Sequence, residues 1–199
     1  LLISVVYSLL STFLAYFGGK WPRRSIRVIN SFFTSIPSLV VAIALGVLFL
    51  STNALAFVEP VSLRNVLTAA LVLSVYPGCT LSQILIEESL EVRQAQYVTM
   101  GRSLGYSETR IFLSYVLRNA ILPWLAQFSN VAASMVAGSI VVEVVFSLPG
   151  LGRLIIQSVL RSDFPMMQGV VLVTSISFLV IDFVMERVYH YLFPLEDAG

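Results

Sequence analysis

The sequence predicts an all-α, polytopic membrane protein, a single domain over residues 1–199 with about five visible spans, on three observations. The first is composition: 57% of the residues are hydrophobic, only 12% are charged, and mean hydropathy is +0.89. A soluble domain carries about 25% charged residues. The second is that apolar runs recur at about the 20 residues a helix needs to cross a bilayer. The third is that the charges gather between those runs, above all in residues 87–123. A net charge of +1 gives no reason to expect nucleic acid, and the lone Cys79 excludes an intrachain disulfide.

The elements follow in order. Residues 1–17 read as the end of a span that begins upstream, because the chain opens at Leu1 inside an apolar run with no cleavage-site pattern after it. Residues 18–27 carry Lys20, Arg23, Arg24 and Arg27 without an acid and read as a link. The second span is 28–50, with Pro37 near one end; a polar link, 51–62, leads to the third span, 63–86, with Pro77-Gly78 inside it. Both prolines interrupt backbone hydrogen bonding, so both helices are expected to bend.

Residues 87–123 hold Glu87, Glu88, Glu91, Arg93, Arg102, Glu108, Arg110 and Arg118, too many charges for a bilayer core. They read as an elbow of two short helices. The first runs to about Leu104, where Gly105 suits a left-handed C′ position. Ser107 can cap the second, with Glu108 facing the positive end of its dipole. Ile111, Phe112 and Tyr115 share a face of that second helix. Two readings stay open: an ordinary loop, or a surface built to touch another protein. The fourth span, 119–146, carries the small-residue pairs Ala133/Ala137 and Ser134/Gly138, which allow close packing within this chain or against a second one. A link at 147–165 and a fifth span at 166–189 complete the chain.

Orientation comes from the basic residues. Nine of the twelve fall in 18–27, in the elbow, or at Arg187; only Arg64, Arg153 and Arg161 fall on the other side. The positive-inside rule therefore expects the elbow in the cytoplasm and both links, 51–62 and 147–165, outside.

Catalytic chemistry has little to work with. The only lysine, Lys20, is followed by Trp21 instead of the Ser or Thr of a P-loop. The only histidine, His190, reads as an interfacial residue beside Tyr189 and Tyr191, and one His with one Cys does not make a conventional zinc site. No catalytic residue, metal or cofactor is expected. Two acids, Glu143 and Asp182, lie inside apolar runs. Each must face a cavity or partner, or else snorkel or bond a neighbouring helix.

Tyr97-Val98-x3-Arg102-x2-Gly105, followed by Leu117-Arg118-Asn119-Ala120-x2-Pro123, resembles the EAA loop of ABC-importer permeases in its dipeptide/oligopeptide/nickel variant. The similarity continues as Gly138-x4-Glu143-x2-Phe146-x2-Pro149-Gly150-Leu151-Gly152, then Arg161-x-Asp163-x-Pro165 and Gln168-Gly169. It covers residues 89–182 well and the preceding spans loosely. The resemblance implies a type I-like importer domain in a bacterial or archaeal cell membrane, with at least one more span upstream. It makes the elbow a coupling helix docked in a groove of a cytoplasmic ATPase. By this resemblance the coupling residues are Tyr97, Arg102, Gly105, Tyr106, Ser107, Ile111, Phe112, Tyr115, Arg118 and Asn119, with Ile111, Phe112 and Tyr115 as the docking stripe. Glu143, Phe146, Pro149, Gly150, Gly152 and Asp163 become pathway or gate candidates; Asp182, outside the resemblance's assignments, reads as structural.

The implied partners are a second, homologous permease, two ATP-binding subunits, an extracytoplasmic substrate-binding protein and membrane lipid. The implied function is half of the translocation pathway for peptides, nickel or a metal-chelate. An ion-coupled secondary transporter using Glu143 and Asp182 is the alternative, and an intramembrane enzyme a weaker one. The chain departs from the family at Gln83 and Ile86, where basic residues are common, at Thr99-Met100-Gly101 in place of Glu-Ala-Ala, and at its C-terminal end, Leu192-Phe193-Pro194-Leu195-Glu196. These departures leave the substrate open.

Overall fold

The structure, a computed structural model, describes residues 1–37, 40, 41, 43, 44, 47, 48 and 63–192, apart from the side chains of Arg64, Ala137 and Leu192. The described residues form α1 (Leu2–Phe17), α2 (Lys20–Ser35), α3 (Leu63–Val92), α4 (Gln96–Ser103), α5 (Glu108–Ile111), a π-turn (Phe112–Val116), α6 (Leu117–Val145), α7 (Leu151–Leu160) and α8 (Phe164–Leu192).

α3 is the central helix, touching α1, α2 and α6. Lipid tails are as apolar as leucine, so helices in a bilayer associate through close packing and hydrogen bonds. α1 supplies both through one small, polar side: Ser4, Ser8, Ser11 and Thr12 are all buried. The Ser4 hydroxyl donates to the Ser74 carbonyl, and Ser11 and Ser82 share a hydrogen bond. Gly78 lets α1 approach, since a Cβ there would sit 3.2 Å from the Tyr7 ring. Asn30 of α2 completes the network, accepting from the Tyr7 hydroxyl at 2.8 Å and donating to Ser82 at 2.7 Å. Across α3 the contact with α6 is apolar: Leu81 and Leu85 pack with Ala120, Trp124, Leu125 and Val131.

These pairings set the directions. α1 and α3 run parallel, Ser4 beside Ser74 and Ser11 beside Ser82, so both end at the elbow. α2 turns back against them, Arg23 donating from Nε to the Ala15 carbonyl while Asn30 lies level with Tyr7.

Several expected boundaries move. Residues 18–27 are not a link: the chain reverses at Gly18-Gly19, with Gly19 at φ +80, and Lys20, Arg23, Arg24 and Arg27 ride on α2. Positive charge is compatible with a helix, and Pro22 falls in the first turn, where its missing N–H breaks no helical bond, so only the glycine pair marks the turn. At Pro37 the helix stops instead of bending, because Ile36 before it is extended. Most of the expected second span beyond that point, and the link at 51–62, lie outside the described residues, as does 193–199 of the C-terminal end. α3 continues through Pro77 to Val92, six residues past the expected boundary at 86, so Glu87, Glu88 and Glu91 stand on its last turns.

The elbow's second helix is not a separate element. From Glu108 to Val145 the chain is helical for 38 residues, with Pro123 accommodated inside. That segment, Asn65–Val92 and Phe164–Tyr191 are long and apolar enough to cross a membrane; Leu2–Phe17 is shorter. Of the small-residue pairs on α6, Ser134 and Gly138 face α3, where a Cβ on Gly138 would meet Leu73 at 3.2 Å. α8 packs mainly on α6 and α7 and leaves Leu172, Leu179, Val180 and Phe183 exposed. Asp182 is exposed among them.

Candidate functional site

At the elbow, α3 gives way to a three-residue turn and then to α4. α4 ends in a Schellman motif: the Tyr106 N–H donates to the Gly101 carbonyl at 3.2 Å and the Gly105 N–H to the Arg102 carbonyl at 3.0 Å. Gly105 sits at φ +79 with nothing within 4 Å of where a Cβ would be, so backbone conformation alone demands glycine there. Ser107 then caps α5, its hydroxyl accepting from the Arg110 N–H at 3.4 Å. Glu108 in the first turn accepts from Arg102 Nε at 2.8 Å and from the Tyr16 hydroxyl at 3.4 Å. The Glu108 hydrogen bond raises the Arg102 guanidinium above its ordinary pKa. Arg110 lies over the Tyr106 ring, which stacks with Tyr115; Arg93 lies over Tyr16.

The stripe expected to dock a partner is turned inward. Ile111 (0% exposed) and Phe112 (3%) are buried with Tyr16, Val98 and Val116, and Tyr115 packs against that cluster. The end of α1 claims this face: the Phe112 ring lies 4.7 Å from Tyr16 and 5.4 Å from Phe17. The free apolar face belongs to α4 instead. Tyr97 (44%), Met100 (64%) and Leu104 (61%) are exposed at i, i+3 and i+7, while Val98 and Gly101 on the opposite face are buried. Met100 and Leu104 were not singled out from sequence, although their spacing from Tyr97 was the available signal.

At the other end of the bundle, α6 closes with the same motif. The Ser147 and Leu148 N–H groups donate to the Val144 and Glu143 carbonyls, with Ser147 at φ +52. The Glu143 carboxylate turns away from α6 and caps α7: Oε2 accepts from the Gly152 N–H at 2.8 Å and the Arg153 N–H at 3.1 Å. Arg153 Nη1 donates in turn to the Ser147 carbonyl at 2.8 Å. The glycines are required by space here. A Cβ on Gly150 would fall 2.2 Å from the Glu143 carboxyl carbon, and one on Gly152 would fall 2.4 Å from the Ile140 Cα. Phe146 is buried with Ala69, Val72 and Val142. α7 ends in a third Schellman motif at Ser162 (φ +57), and Asp163 caps α8 by accepting from the Met166 N–H at 3.1 Å. Between α6, α7 and α8 lies an open cavity of about 460 Å³, walled by Ala133, Val136 and Ile140 on one side and Thr174 and Phe178 on the other, with Glu143 at its margin.

An elbow with a fixed Gly105 turn, preceding a long span and a Pro-Gly-Leu-Gly turn, fits a family profile along nearly its whole length. Residues 8–195 match the family described as binding-protein-dependent transport system inner membrane component. This chain belongs to that family. Among relatives, it is 29% identical over 184 residues to a peptide transport system permease protein of Brucella abortus (strain 2308), covering 88% of this chain and 59% of the relative. It is 30% identical over 185 residues to the glutathione transport system permease protein GsiC of Escherichia coli (strain K12), covering 90% and 59%. With the di/tripeptide transport system permease protein DppB of Pseudomonas aeruginosa (strain UCBPP-PA14) it shares 30% over 128 residues, covering 64% and 38%. The chain spans about three fifths of the first of these relatives.

Membership in this inner-membrane component family, with three helices among the described residues long and apolar enough to span, makes the chain a multi-pass membrane transport component. No group of three or more His, Cys, Asp or Glu that could hold a metal occurs among the described residues. The expected residues separate into two clusters at opposite ends of the bundle. Tyr97, Arg102, Gly105, Tyr106, Ser107, Ile111, Phe112 and Tyr115 build the elbow, with Arg118 and Asn119 exposed just beyond it. Glu143, Phe146, Pro149, Gly150, Gly152 and Asp163 build the opposite turns. Glu143 and Asp182, paired in the ion-coupled alternative, lie on different helices, and the Glu143 carboxylate is engaged in capping.

Proposed function

We propose that this chain forms half of the translocation pathway of an ATP-driven importer, with the elbow in the cytoplasm. A second permease supplies the other half, two ATP-binding subunits the energy, and an extracytoplasmic binding protein the substrate. The observation that carries this reading is the α4 face: three apolar side chains stand exposed on a short helix whose opposite face is anchored and whose end is fixed by Gly105. A rigid apolar knob beside a cluster of arginines is suited to a groove on another protein. Docking is therefore assigned to Tyr97, Met100 and Leu104, with Ile111 and Phe112 as the support beneath them. The relatives' names favour peptides as the substrate class over nickel or metal-chelates.

The test is uptake of labelled di- and tripeptides into proteoliposomes holding the chain with its partner permease, ATP-binding subunits and binding protein. Uptake is expected only with ATP on the side of the ATP-binding subunits, and Gly105→Val is expected to abolish it while the two permeases still pair. Uptake that survives without ATP and collapses with the proton gradient contradicts the proposal.

A further inference from the structure

The helix that starts at Glu108 holds one residue more than an α-helix accommodates. Over Phe112–Val116 the backbone opens into a π-turn, closed by a hydrogen bond from the Leu117 N–H to the Phe112 carbonyl five residues back. Such turns are rare and usually single, and they last where surrounding contacts hold them. Contacts hold this one from both sides. Upstream, Ile111 and Phe112 are locked in the elbow and Glu108 is tied to Arg102 and Tyr16. Downstream, Ala120, Trp124 and Leu125 are packed on Leu81 and Leu85 of α3. The extra residue sets the angle between these two faces.

The turn also has the means to change. The Asn119 side-chain amide donates to the Tyr115 carbonyl at 2.7 Å, so a side chain serves a carbonyl within the turn. Pro123 offers no N–H to the Asn119 carbonyl, which removes a helical bond one turn further on. On the outer side Leu113 (56%) and Ser114 are exposed, so no other described residue covers the widened backbone there.

We propose that Phe112–Val116 is a register switch between elbow and span, an inference that rests on the importer reading above. A push on α4 passes through Val98 and Gly101 to Ile111, and the extra residue is absorbed into α-helical geometry. One residue of α-helix is about 100° of rotation and about 1.5 Å of length, which sets the scale of the movement α6 then makes relative to the elbow. That movement turns Ala133, Val136 and Ile140, one wall of the 460 Å³ cavity, against α8. Asn119 is the positioning residue that steadies the turn before the switch.

Deletion of Leu113 tests this, because it removes the extra residue without taking a core side chain and leaves both flanking faces in register. The reconstituted transporter carries spin labels at Thr109→Cys, exposed upstream of the turn, and Val144→Cys in a Cys79→Ser background. With the unmodified length, the label distance is expected to differ between the ATP-free and vanadate-trapped states. With Leu113 deleted it should stay fixed, ATP hydrolysis and assembly should persist, and uptake should fall about tenfold or more. Wild-type uptake, or the same distance change in both chains, overturns the switch. If neither chain binds an ATP-binding subunit, the importer reading fails instead. The switch is then read from the isolated chain in nanodiscs: two distance populations collapsing to one on deletion support it, and identical distributions overturn it.

Discussion

Glu143 shows how one side chain can dictate its neighbours. Its carboxylate occupies the space that a side chain at position 150 would need, and it satisfies two of the orphan N–H groups at the start of α7. Gly150 is at φ −148, an extended conformation open to any residue, so only the carboxylate excludes a larger one. Removing the cap should cost about 1–2 kcal/mol. The two positions must therefore couple. Gly150→Ala alone should cost no more than the cap it displaces, about 1–2 kcal/mol, and almost nothing alongside Glu143→Ala, read as thermal unfolding of detergent-solubilised protein in a double-mutant cycle. Additive losses would show that the carboxylate does not fill that space. What was legible in sequence at this scale was chemistry within a few residues: Gly105 at a C′ position and Ser107 as a cap are both observed. The orientation of Ile111 and Phe112 was not, because it is decided by Tyr16 and Phe17, almost a hundred residues away along the chain. Ser147 and Ser162 at positive φ also passed unnoticed, since nothing in serine announces that conformation.

Among the elements, α2 departs furthest from expectation. Its basic start was read as a link, yet its buried face carries Asn30, which ties α1 to α3 through Tyr7 and Ser82. Asn30→Leu would take the acceptor from the Tyr7 hydroxyl and leave Ser82 with Ser11 alone. It should destabilise the bundle by about 1–2 kcal/mol, near the upper range for hydrogen bonds between membrane helices. A lowered unfolding midpoint in detergent, with secondary structure unchanged, is the expected result, and an unchanged midpoint would mean the network contributes nothing net. The long apolar spans were legible because length and hydropathy determine them. The π-turn was not, because the span it leads into is apolar on nearly every side, which hides the shift in phase that one extra residue makes. The continuity of α5 with α6 was hidden by Arg118, whose charge suggested a boundary where the helix simply emerges from the bundle.

For the whole molecule, the parallel course of α1 and α3 brings their ends together with the elbow, while the turns around α7 lie at the opposite end. Basic residues concentrate at the first of these ends, and the positive-inside rule expects that end in the cytoplasm. In a Cys79→Ser background, cysteines at the exposed Ser107 and Leu160 should therefore react with impermeant thiol reagents from opposite sides of the membrane. Reaction of both from outside would reverse or break the topology.

The central claim is that α4 presents its exposed apolar face to an ATP-binding subunit. Its most direct test is site-specific cross-linking in the assembled transporter, with a photoreactive group on a single cysteine at Met100 and, for comparison, at Leu113. The account predicts a cross-link from Met100 to the ATP-binding subunit, lost in Gly105→Val, and none from Leu113. Cross-linking from Leu113 and not from Met100 would contradict it.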